Sequence, residues 1–231
     1  MEFIIIIIFL IIMYLILNYI FDSNAKELNK IAENKELDEI TKKYPNNIEI
    51  CKTYLKMLDN ESVKIEEDKN SNATLYLVSS NKIFIANLKD SYTRIQTIAH
   101  ECLHSVQDKK MLWFNFVFSN LYIVLFLILC VLAIFKIIKF KLLCLIIFLL
   151  CGFTFYIVRT YLEDDAMIKA KFLAKEYMEN VKISSKEEID KIIKQYDKLN
   201  NIGIKYTNID IFKNVLIKTL ILCVFFIIFW F

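Results

Sequence analysis

Apolar and polar residues are gathered into long blocks along this chain, and the blocks predict its elements. Phe3 to Phe21 are nineteen residues without a charge, enough for a helix to cross about 30 Å of hydrocarbon. The run follows Met-Glu and leads into Phe-Asp-Ser-Asn, without the basic start or small-residue cleavage site of a secretory signal, so a retained anchor is expected. Leu112 to Phe135 and Leu142 to Val158 are two further uncharged blocks, joined by a short segment holding Lys136, Lys139 and Lys141. They predict a transmembrane hairpin, the seventeen-residue second arm being extended by lysines that snorkel. Val215 to Phe231, interrupted by Lys218, predicts a fourth span. The hairpin returns the chain to the side it left, so the polar stretches before and after it share one side and both termini lie on the other.

Between the apolar blocks the periodicity is that of a small, mostly α domain with some β structure. Ala25 to Tyr44 predicts a charged helix, with Asn24 and Glu27 in capping-box spacing and Pro45 as its stop. Ile48, Cys51, Leu55 and Leu58 recur at three and four, predicting a second helix ending near Asn60. The period then falls to two. Val63 and Ile65 alternate with charge, and Thr74 to Val78 and Ile83 to Ile85 predict a hairpin turning around Ser80 and Asn81. A helix is expected from the N-cap types Asp90 and Ser91 to Asp108, because Ile95, Ile98, Ala99, Cys102, Leu103 and Val106 recur at helical spacing without glycine or proline. Past the hairpin, a helix opens at Arg159 and runs to about Asn180. Ser185 and Glu188 form a capping box for another, exposed helix through Lys198, stopped by Asn200, Asn201 and Gly203. The expected division is an anchor over 1–21, a polar half over 22–111, the hairpin over 112–158, a second polar half over 159–212 and a final span over 213–231.

Composition narrows the class. The chain is 57% hydrophobic with a net charge of +3, and its acids and bases are interspersed without a basic stripe, which excludes a nucleic-acid face. Of the six cysteines, Cys130, Cys144, Cys151 and Cys223 fall in apolar blocks and only Cys51 and Cys102 in polar sequence, which is no disulfide framework.

The chemistry is concentrated in one stretch, Thr97 to Gln107. The only two histidines, His100 and His104, stand four apart with Glu101 beside the first, the HExxH pattern. At that spacing the imidazoles share a helix face and can converge on one ion, expected to be zinc. Glu101, one position round, can reach a water on the ion and act as its general base without being a ligand. A His-Glu-His cluster on an otherwise apolar helix is costly unless something satisfies it. Cys102 points to another face and is expected to be a buried, inert thiol. A catalytic zinc takes three protein ligands, and no third histidine exists. The best placed carboxylate is Glu163, just past the hairpin, with Ala166 and Ala170 on its helix face allowing close approach to a neighbour. Asp164 and Asp165 are the lesser candidates.

With HExxH and a downstream Glu-x-x-Ala, the chain resembles the YugP-type membrane zinc metallopeptidases of bacteria, relatives of the gluzincins. The likeness covers nearly the whole chain: anchor, helix and small sheet, His100 to Asp108, membrane hairpin, Glu163 to Ala166, and a C-terminal span. It implies a zincin-like domain interrupted by the hairpin, zinc on His100, His104 and Glu163, Glu101 as base, and a peptide or protein substrate, membrane-associated or free, cut at the lipid bilayer. This chain departs from the family pattern at Leu103, where glycine is usual, and at Met167, where a small polar residue or an aspartate would orient an imidazole. The rival expectation is a non-catalytic zinc protein for assembly or sensing; such sites are closed by four protein ligands. A transporter is disfavoured because the apolar blocks contain no acids. Tyr161 or Arg159 stands where an oxyanion could be met. Charge signals for orientation compete, while the unpaired cysteines and the family likeness lean to a cytoplasmic active site.

Overall fold

The structure is a computed structural model describing residues 2–68, 73–86, 88 and 91–229. It is mostly helical, in the order α1 (Glu2–Ala32), α2 (Lys35–Thr41), α3 (Asn47–Met57), β1 (Lys64–Asp68), β2 (Leu75–Leu77), β3 (Lys82–Ala86), α4 (Arg94–His104), α5 (Lys109–Ile134), α6 (Lys141–Val181) and α7 (Lys186–Ile228). Four of these, α1, α5, α6 and α7, are long and apolar enough to cross a membrane. The chain divides into two compact units.

One unit comprises Met1–Ala25, Phe114–Tyr161 and Lys205–Phe231. Its interior is built from Phe3, Tyr122, Leu129, Phe148, Leu222 and Phe226, among others. Its outside is equally apolar: Ile5, Phe9, Leu121 and Leu150 are each about 60% exposed or more, a surface far larger than water tolerates and suited to lipid. At Gly152 of α6 a Cβ would come within 2.6 Å of Val215 Cγ1 and 2.8 Å of the Tyr122 hydroxyl, so glycine is what lets α6 lie this close to its neighbours. Buried Lys213 donates to Asn18 Oδ1 at 2.7 Å and lies 3.9 Å from the centre of the Phe21 ring, which satisfies its charge.

The other unit comprises Lys26–Trp113 and Leu162–Ile204. Its core holds Ile50, Tyr54, Ile83, Ile85, Ile95, Ile98, Ala166, Ala170, Tyr177, Ile192 and Tyr196. The sheet order is β1-β3-β2, with β1 parallel and β2 antiparallel to β3. The β2–β3 hairpin turns over Val78 to Asn81, and Asn81 takes the left-handed conformation, φ 50°, that a tight return needs. Helix α3 packs on α4. Arg94, buried at the start of α4, donates to the carbonyls of Thr41, Tyr44 and Pro45 and to Asn47 Oδ1 at 2.8–3.0 Å. One guanidinium thereby closes the α2–α3 connection over α4.

Several sequence expectations need correcting. The helix expected over Ala25–Tyr44 is two pieces. Nothing between Phe21 and Ala32 stops α1, which runs through Asn24, and Asn34 then caps α2 by accepting the Leu37 N–H at 3.2 Å. Helix α4 begins after Thr93 without a side-chain cap and ends at His104. Asp90 lies outside the described residues, and Ser91 instead contacts the Thr93 hydroxyl at 2.9 Å. Val106 is consequently exposed in the following turn, not a core residue. The predicted stop at Asn200–Gly203 is absent, because α7 continues to Ile228. There the Asn200 amide makes tertiary bonds, to Gln96 and to the Met167 carbonyl, and a Cβ on Gly203 would meet Met167 Cε at 2.7 Å. These residues serve close packing of α6 and α7, not termination. The first part of α7 is no exposed support either, since Ile189, Ile192 and Tyr196 are core residues. Its capping box does form: the Ser185 N–H donates to Glu188 Oε2 at 2.8 Å and the Glu188 N–H to Ser185 Oγ at 3.2 Å.

Candidate metal centre

Helix α4 buries Ile95, Ile98, Ala99 and Cys102 completely. The same 3.6-residue period that directs these side chains inward places His100 and His104 one turn apart on an adjoining face. Their rings stand nearly perpendicular, at 86°, and their Nε2 atoms approach to 3.0 Å. Glu163 reaches the pair from α6, with Oε2 at 3.4 Å from His100 Nε2 and 3.7 Å from His104 Nε2. Ala166 and Ala170, fully buried, are the small residues that keep this part of α6 tightly packed in the core.

One ligand atom from each of His100, His104 and Glu163 falls within 4.8 Å of the others, so the group could hold a metal ion. Bonds of about 2.0–2.1 Å in a tetrahedral arrangement hold three donor atoms roughly 3.3 Å apart. The observed edges of 3.0, 3.4 and 3.7 Å scatter about that value. The donor set, two imidazole nitrogens and a carboxylate oxygen, also fits.

Glu101 stands beside this group. Its Oε1 is 4.0 Å from His100 Nε2, and its Oε2 accepts the Tyr76 main-chain N–H at 2.7 Å. Burial raises its pKa above the ordinary carboxylate value, against the lowering influence of the two histidines and the Tyr76 N–H. A carboxylate in such surroundings is a better proton acceptor than one in water.

The candidate residues of the sequence divide clearly. His100, His104 and Glu163 converge and Glu101 adjoins them. Asp165 is not among the converging atoms: it pairs with Lys169 Nζ at 2.6 Å and accepts from Gln107 Nε2 at 3.0 Å. Burial opposes its ionisation, but those two bonds outweigh burial and hold its pKa below the usual range. Asp164 does not belong to the group either. Arg159 and Tyr161 fall in the apolar unit. Cys102 is fully buried with Sγ 3.6 Å from that of Cys51, and burial pushes its thiol pKa well up, as expected of an inert cysteine. Met167 packs against Gly203. Gln107, the end of the stretch in which the chemistry is concentrated, has no role assigned from sequence; its Oε1 lies 2.8 Å from His104 Nδ1. The signal that could have found it is its place three positions after His104, where the chain leaving the helix can fold back on the ring. No protein-family model, curated protein or solved structure matches this chain.

Proposed function

We propose that this protein is a membrane-embedded zinc endopeptidase of the YugP type with a zincin-like domain, and the observation that carries the reading is Glu101 beside the converging His100, His104 and Glu163 atoms. When bound, zinc would lower the pKa of a water to about 7 and polarise the substrate carbonyl. His100 and His104 supply neutral nitrogens and Glu163 an anionic oxygen, a set of three that leaves room for water, unlike a closed structural site. Glu101 takes the proton from the attacking water at Oε1 and later passes it to the departing amine. Its other oxygen stays on the Tyr76 N–H, which fixes the carboxylate's direction. Because β2 is an edge strand, an extended peptide laid along it would run past Glu101.

In this reading the chain crosses the membrane four times, both termini share a face with the loop at 136–141, and the catalytic unit faces the cytoplasm. Labelling of single cysteines introduced at 136–141 from outside intact cells checks the orientation. The function is tested on the full chain in detergent: it should bind one zinc and cleave peptides, losing activity to a chelator and regaining it with zinc. Glu101→Ala should keep its zinc and lose cleavage; a variant that cleaves at the wild-type rate refutes the mechanism.

A further inference from the structure

An imidazole binds a metal only through a nitrogen that carries no proton, so something must decide which nitrogen of His104 is bare. The bonding around Gln107 decides it. The Gln107 amide nitrogen is 2.8 Å from the Leu162 carbonyl oxygen and 3.0 Å from Asp165 Oδ2. A carbonyl oxygen can only accept, so the NH2 group must face Leu162 and Oε1 must face His104. Oε1 in turn lies 2.8 Å from His104 Nδ1. An amide oxygen accepts only, and Nδ1 must therefore carry the proton. In the neutral ring that a metal requires, the bare nitrogen is then His104 Nε2, the atom that lies 3.0 Å from His100 Nε2 and 3.7 Å from Glu163 Oε2. Lys169, at 2.6 Å from the other Asp165 oxygen, completes the chain of contacts.

We propose that Gln107, held in place by Asp165 and the Leu162 carbonyl, is the positioning residue of the metal centre, fixing the ring and tautomer of His104 for zinc. The inference rests on the metal reading of His100, His104 and Glu163. The amide of Gln107 carries the orienting effect of Asp165 to the ring while keeping that carboxylate one side chain away. Orienting partners of this kind are typically worth 10–100-fold in metal affinity.

The test is zinc affinity of the full chain in detergent, measured by competition with a chelator. Gln107→Met, which keeps length and bulk but removes the acceptor, should bind zinc 10–100-fold more weakly, while its metal-free form keeps the wild-type far-UV circular dichroism. The cobalt-substituted form of this variant should show shifted d–d absorption. Asp165→Ala should weaken zinc binding in the wild-type background and add nothing in the Gln107→Met background, since Asp165 acts through Gln107; this second variant carries the test if the first fails to fold. Wild-type affinity in Gln107→Met, or full additivity of the two changes, overturns the inference. If wild type takes up no zinc, the metal reading itself falls. If zinc is bound and is lost in His104→Ala while Gln107→Met changes nothing, only the role of Gln107 falls.

Discussion

The main-chain N–H of Tyr76 donates to Glu101 Oε2 at 2.7 Å, so the acid of the HExxH helix rests on the edge strand of the sheet. Glu101→Gln retains an oxygen for this bond and Glu101→Ala does not. Hydrogen exchange at the Tyr76 amide should stay slow in the first variant and accelerate in the second, although under the proposed function both should lose hydrolysis, by about 10²–10⁴-fold for the missing base. Equal exchange in the two would mean that the bond does not hold the strand.

Glu163 supplies the only carboxylate oxygen of the converging group. Glu163→Ala should leave two imidazoles, too few for a stable catalytic site, and zinc content after dialysis should drop from one equivalent toward zero. Retention of stoichiometric zinc would move the third ligand elsewhere.

Arg94 satisfies four acceptors from the α2–α3 connection, three of them main-chain carbonyls. Arg94→Ala strands these acceptors in a buried site and should cost roughly 3 kcal/mol. Arg94→Lys should recover only part of that, because an ammonium cannot span the fork of contacts. Chemical denaturation followed by tyrosine fluorescence of the polar unit would measure both.

The capping box of α7 gives a pH dependence whose sign is fixed. The Ser185 N–H, followed by Lys43, holds the Glu188 carboxyl below the usual carboxylate range. A depressed acid stabilises the fold above its unfolded pKa and loses that contribution as pH falls through the lower folded value. Glu188→Ala should therefore melt below wild type at pH 7, by the order of 1 kcal/mol usual for a cap, and the gap should close in the acid range below about pH 4. A gap that is constant from pH 7 to pH 3 would contradict the charge-based account.

What could be read along the chain was whatever depends on near neighbours or on gross composition. His100, Glu101 and His104 declare themselves because helical spacing alone puts them side by side. The four apolar helices declare themselves because uncharged runs of that length have little other use. Ala166 and Ala170 foretold the close packing around Glu163, and the alternation at residues 74–85 foretold the β2–β3 hairpin.

Contacts between distant segments were decided only by the tertiary structure. The parallel pairing of β1 with β3 leaves no local signature. Asn200 and Gly203 carry the residue types of a helix stop, yet α7 passes through them because Gln96 and the Met167 carbonyl occupy the Asn200 amide and Met167 fills the space a Cβ would need. Gln107 reads as an ordinary polar residue until Leu162 and Asp165, more than fifty positions on, fix its amide. Spacing along one helix specifies which donors share a face; which way an amide or an imidazole points is set by hydrogen-bond partners that only folding brings together.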